Sequence, residues 1–240
     1  MIMAETFRLW VIESDNERVK KILSFSRIDE GVVITPGIEK FRELKLRLLN
    51  GTHTFSCGLA FLAGFDTVKE AMADEQMSSY INSLMMPEIA AALDNDAISY
   101  DEACAFANQV SDRFRNPALD HKWISIALNY TSKMKLRNIP LLLNHYSKTN
   151  MVPRNMALGF AAYLLFMKCS IGADGLYHGG ANGSVYAIQD DMAAYFADKT
   201  AICNVDTFVD AVLSDKNLWG SDISKLSGFA EDVKENIRSM

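Results

Sequence analysis

An amine, an amide and an imidazole stand at K-x4-N-x2-H spacing in the stretch KLRLLNGTHTF, as Lys45, Asn50 and His53. Such a set can handle a proton and a carbonyl without a metal. The spacing alone is a weak pattern, because a lysine that reaches solvent, a satisfied core amide and a buried imidazole carry the same three letters. The element that carries the residues, and the letters around them, decide between these readings.

Apolar residues recur at Phe41, Leu44, Leu48, Phe55, Leu59 and Leu62, a rhythm that predicts one long helix. Thr35-Pro36 supplies a cap and a first-turn proline for it. At about 100° per residue, with Phe41 as zero, Lys45 falls at roughly 40°, His53 at roughly 120° and Asn50 at roughly 180°, on one flank with Leu49 and Leu46 and interleaved with leucines. A helix apolar on two sides is buried on two sides, so the three polar groups must find partners inside the protein or line a cavity. Gly51 costs about 1 kcal/mol relative to alanine in mid-helix and would let a ligand or another backbone come close.

KLRLLNGTHT resembles the signature of the polyol-specific long-chain dehydrogenases and reductases, the mannitol dehydrogenase family, in which lysine, asparagine and histidine at this spacing form the active site. Phe7 to Glu13, FRLWVIE, is similar to the strand segment before that signature, Arg113 to Pro117 to the family's RFxNP turn, and Ser132-Lys133 to a later lysine that contacts substrate. The resemblance implies a mainly α, multi-helical carboxy-terminal domain like the 6-phosphogluconate dehydrogenase C-terminal-like fold, with a short strand contribution at its amino end. It implies hydride transfer between NAD and a secondary carbinol, with no metal. Lys45 would exchange a proton with the carbonyl oxygen, Asn50 would donate to the oxygen on which charge develops, and His53 would hold a neighbouring hydroxyl. The lysine must then release its proton near the working pH, which burial and the nearby Arg42 would favour.

One departure bears on substrate. Mannitol-type members carry an arginine a little upstream of the later lysine, where this chain has Ile124-Ser125. That disfavours a plain polyol and points to a sugar acid, whose carboxylate needs a cationic clamp. Lys133, Arg113 and Arg137 are the candidates, with Arg115 and Arg42 also available.

No G-x-G-x-x-G lies between a strand and a helix, and His178-Gly179-Gly180 has no apolar strand feeding it and reads as a turn or hairpin. Because the family places a Rossmann domain upstream of the signature, the chain reads as the carboxy-terminal half of a longer enzyme. Residues 1–36 would be a junction segment with short strands and 37–240 the helical catalytic domain, inactive without the NAD domain.

Composition narrows the classes. With 49% hydrophobic and 22% charged residues the 240-residue chain is globular. A net charge of −6 argues against a nucleic-acid partner, since phosphate backbones are met by clustered Lys and Arg. Met156 to Met167 is apolar, yet its twelve residues are too few to span a bilayer. No signal segment opens the chain, the sequons at Asn50, Asn129 and Asn182 read as chance, and Cys57, Cys104, Cys169 and Cys203 show no C-x-x-C, which together read as free thiols in a reducing cytoplasm. His121, His145 and His178 show no metal-ligand spacing.

The remaining helices are expected after an Asp66 cap, after a Ser99-x-x-Glu102 capping box, and over 120–131, 139–146, 154–169, 189–198, 205–213 and 231–239. Strands are expected at 9–13 and 32–35, and a mobile loop at 174–184. A reading of another class, a helical interaction module in which Lys45, Asn50 and His53 are only structural, keeps the same elements.

Overall fold

The computed structural model describes residues 8–181, 183–202 and 204–240. Strands Trp10–Glu13 and Val32–Thr35 pair in parallel, with Trp10 opposite Val32 and Glu13 opposite Thr35. Helix Glu17–Ile22 and a 3-10 turn, Ser24–Arg27, connect them. The structure beyond is mainly α, as the sequence predicts, and is organised around three long helical rods at 39–62, 75–93 and 130–148.

Each rod contains one stretch of π-helix, at Lys45–Gly51, Leu84–Ala90 and Met134–Asn138. For two of them proline is the local cause. Pro87 lies inside the second stretch and Pro140 just beyond the third. Proline brings no N–H and its ring crowds the carbonyl four residues back, and a wider turn relieves the crowding. The first stretch has no proline. Its cause is tertiary.

The first rod ends in helix Thr52–Leu62, which crosses helix Arg154–Met167 at backbone contact. A Cβ on Gly58 would stand 2.7 Å from the Ala162 carbonyl oxygen, and one on Gly159 would stand 2.7 Å from the Phe55 carbonyl oxygen. Only glycine fits at this crossing. Phe55, Phe160, Tyr163 and Phe166 close over it, all buried. The amino end of Arg154–Met167 is capped from outside by Glu88, whose carboxylate accepts from the Asn155 and Met156 amides and the Asn155 side chain, each at 2.8 Å. Burial nonetheless pushes the Glu88 carboxyl upward from its ordinary range.

Several expected boundaries move, each for a visible reason. Thr35 closes the second strand, and the rod begins at Glu39 behind Ile38. Thr67, not Asp66, caps Val68–Ala73, in a reciprocal box with Glu70. The helix expected over 120–131 is broken: Trp123–Ile126 ends, Asn129 takes a left-handed φ of 50°, and Tyr130 starts the third rod. Arg154–Met167 gives way to a strand at Cys169–Ile171, which pairs antiparallel with Tyr177–Ala181, itself paired with Ser184–Ala187. The expected loop is therefore mostly sheet. Gly179 belongs in it because the Tyr186 ring occupies the place of its Cβ, 2.5 Å away. The helix expected at 189–198 runs Ala193–Ile202, and the last helix starts at Phe229. The Ser99–Glu102 box and the helix Val205–Leu213 stand where predicted. Cys57, Cys104 and Cys169 are free thiols; Phe7, Asn182 and Cys203 lie outside the described residues.

Gly58→Ala forces the two backbones apart, and we expect a loss of about 1–3 kcal/mol, read as a lower urea midpoint at unchanged slope. A midpoint equal to the parent's would contradict the backbone contact.

Candidate active site

Lys45, Asn50 and His53 line one pocket of about 460 Å³, whose walls include Arg113, Phe114 and His121. An α-helix would set Lys45 and Asn50 roughly 140° apart. The π stretch closes its hydrogen-bonded ring one residue later, so each residue turns by only about 80° and five residues come back to within roughly 40°. Both side chains thereby share a face. The expected burial fails for Lys45, which is exposed at the pocket mouth, while Asn50 is half-buried and His53 is 7% exposed. A polar residue at the open end of a π turn escapes the two-sided apolar wrap that an unbroken α-helix implies.

His53 is held flat by aromatic neighbours. Its ring stacks on Phe114 at 4.1 Å and 13°, with His121 edge-on at 5.1 Å and Trp123 edge-on at 6.0 Å. Its Nε2 is buried and makes no hydrogen bond within the protein. Burial, reinforced by His121, Arg113 and Arg137, pushes the imidazole pKa well below its ordinary value, so the ring is neutral. A neutral imidazole with a spare nitrogen can hold a substrate hydroxyl.

The third rod grips the first along this face. The Tyr130 hydroxyl accepts from the Gly58 amide and donates to the Thr54 carbonyl, both at 2.8 Å, which splices it between an i and i+4 pair of the helical ladder. The Thr54 hydroxyl donates to the Asn50 carbonyl at 2.8 Å and accepts from Arg137 Nη1 at 3.3 Å. Asn138 Nδ2 donates to the Gly51 carbonyl at 3.2 Å, and Arg47 Nη1 donates to the carbonyls of Leu136 at 2.8 Å and Arg137 at 2.7 Å. What approaches Gly51 is thus the protein itself: a Cβ there would meet Asn138 Oδ1 at 3.2 Å and Leu141 at 3.3 Å.

Of the clamp candidates, Arg113 lines the pocket and the other two stand elsewhere. Arg137 faces Thr54, and Lys133 Nζ donates to the Ile126 carbonyl at 2.9 Å, its pKa lowered by burial and by Arg137. Arg115 reaches Ser111 at 3.0 Å, and Arg42 is exposed. His121 is the residue that sequence reasoning passed over. It had no periodic or metal-ligand pattern to mark it, and only the return of the chain beside Phe114 brings it to His53. A neighbouring cavity of about 740 Å³ shares Arg113 with the pocket and is walled by Leu9, Val33, Phe41 and Phe106. Among the described residues no group of three or more His, Cys, Asp or Glu side chains is placed to hold a metal ion.

Comparison with known proteins agrees with these features. A family profile described as the mannitol dehydrogenase C-terminal domain matches residues 37–240. Altronate oxidoreductase of Halalkalibacterium halodurans is 34% identical over 99% of this chain and 47% of its own length. The Yersinia enterocolitica altronate oxidoreductase is 32% identical, over 99% of this chain and 48% of its own. The chain spans about half the length of these relatives. Among solved structures, Pseudomonas fluorescens mannitol 2-dehydrogenase, in a ternary complex with NAD and D-mannitol, superposes with a TM-score of 0.71 at 22% identity, covering 87% of this chain and 40% of that one.

His53 gives the fold a pH dependence. Its folded pKa lies below the unfolded value of about 6.5, so as pH falls the unfolded chain takes up the proton first. The stability it contributes is present above about pH 6.5 and is lost as pH falls through the folded pKa. Urea unfolding at pH 7.5 and 5.5 should show a smaller drop for His53→Gln than for the parent, and equal drops would sink the assignment.

Proposed function

The chain belongs to the mannitol dehydrogenase family, whose C-terminal domain it supplies over residues 37–240, and on that premise we propose that it is the substrate-binding and catalytic half of an NAD-dependent tagaturonate reductase. The reaction is altronate + NAD⁺ ⇌ tagaturonate + NADH + H⁺. The identity to altronate oxidoreductases over nearly the whole chain supports the substrate. The observation that carries the reading is the convergence of Lys45, Asn50 and His53 on one pocket, with a buried His53 Nε2 that no protein group satisfies.

In the direction of reduction, the Lys45 ammonium gives its proton to the carbonyl oxygen as that oxygen gains charge, and in oxidation the amine takes it back. Asn50 donates a hydrogen bond to the same oxygen and favours its charged form. Neutral His53 holds the adjoining hydroxyl and fixes which carbon faces the donor. Arg113, on the pocket wall, is the clamp candidate nearest the carboxylate of a sugar acid placed this way.

The glycine cluster does not fit the dinucleotide. The glycines at 179 and 180 belong to the strand Tyr177–Ala181, with the Tyr186 ring packed over Gly179, and offer no cradle for phosphates. NAD, which supplies the hydride acceptor, would be bound by an upstream Rossmann domain. The length of the relatives and the bare parallel strand pair at Trp10–Glu13 and Val32–Thr35 both support such a partner, which would also cover the exposed Lys45.

In the full-length enzyme, Lys45→Ala should lower kcat by about 10²–10⁴-fold with an unchanged far-UV spectrum; a variant that loses stability instead of rate would favour the non-catalytic module. A panel of tagaturonate, fructuronate and fructose should show the highest kcat/KM for tagaturonate, and a preference for fructose would overturn the substrate. The 240 residues alone should not oxidise NADH in the presence of tagaturonate, and turnover by them would refute the half-enzyme reading.

A further inference from the structure

We infer that Arg47 and Asn138 are positioning residues that impose the π-helical register on residues 45–51 and thereby bring Lys45 and Asn50 onto one face. The register claim stands on geometry; its consequence for rate rests on the function proposed above.

The first five letters of this segment favour the ordinary α-helix, and only Asn50 and Gly51 at its end are weak formers. Lys45, Leu46, Arg47, Leu48 and Leu49 are all strong α formers, and no proline interrupts them. Something outside the segment must hold the wider turn. Pro140 has no N–H, so the Leu136 carbonyl, four residues earlier, loses its ordinary helical donor. Arg47 supplies one, at 2.8 Å, and donates also to the next carbonyl at 2.7 Å. Its guanidinium is fixed for the task by Glu43, 2.8 Å from Nε, and its side chain is only 12% exposed. In return Asn138, the last residue of the third rod's π stretch, donates to the carbonyl of Gly51, the last residue of the first. Two π turns therefore satisfy each other's backbone. If Arg47 is removed, the carbonyls of Leu136 and Arg137 lose a donor and the register of 45–51 loses its anchor. Relaxation to an α-helix would turn Lys45 roughly 100° away from Asn50.

The test uses thiol bridging, which needs no turnover. In the chain carrying Lys45→Cys and Asn50→Cys, dibromobimane should link the two introduced thiols, giving fluorescence above both single-cysteine controls. Adding Arg47→Met or Asn138→Ala should return the signal to the control level while far-UV circular dichroism remains helical, and Arg47→Lys should be intermediate. Undiminished bridging in any folded Met or Ala variant overturns the brace. Absence of bridging in the parent pair overturns the register itself, even if the brace variants fail to fold. In the full-length enzyme Arg47→Met should lower kcat by about 10²-fold with a smaller change in KM. Lost bridging at unchanged kcat would leave the brace standing and refute the catalytic role of Lys45 and Asn50.

Discussion

The first rod is held by hydrogen bonds to its own backbone from a rod about eighty residues further along the chain. Tyr130 enters its ladder at Thr54 and Gly58, Asn138 takes its Gly51 carbonyl, and Arg47 answers at Leu136 and Arg137. A helix normally spends its amides and carbonyls on itself, and its orientation is left to side-chain packing. Here backbone groups are shared between rods, and a hydrogen bond fixes direction more narrowly than an apolar contact does. The glycine crossing against Arg154–Met167 closes the opposite side. Between the two, the face that carries Lys45 and Asn50 has little room to turn.

The same arrangement accounts for the electrical character of the pocket. Arg137 is drawn to Thr54, which puts a cation near the helix that carries His53. With Arg113 and His121 on the pocket side, a second positive charge on the imidazole is disfavoured from both directions as well as by burial. His53 is thus kept as a hydrogen-bonding group and not as a cation. Lys45, at the mouth, is exposed to solvent.

What the sequence made legible was whatever depends on near neighbours. The Ser99–Glu102 box, the helix Val205–Leu213 behind its Asn204 cap and the strand Val32–Thr35 are local events, and each stands where its letters put it. Lys45, Asn50 and His53 were legible as a set, because the signature surrounds them. Their common flank was legible too, whereas the π turn that narrows the angle between Lys45 and Asn50 was not. No proline marks the π register, and the groups that brace it lie at Leu136, Arg137 and Asn138. His121 escaped notice for the same reason, since only the fold brings it to His53. The hairpin reading of His178-Gly179-Gly180 holds, with Tyr177–Ala181 and Ser184–Ala187 as its arms, but the third strand at Cys169–Ile171 was hidden at the end of an apolar helical run.

The amino-terminal unit differs from the rest in how it is held. Its helix Glu17–Ile22 buries no residue, and Trp10, Ile22, Phe25 and Ile28 are exposed, Ile28 by 88%. With few apolar contacts of its own, such a unit opens at a free energy far below that of the rods it adjoins. Of the described residues, 10–35 are those whose amides are expected to exchange with solvent most readily. The hinge of that opening would lie at 36–38, immediately before the rod that carries Lys45. The face that carries Lys45 and Asn50 is braced from the third rod and does not depend on that segment for its register.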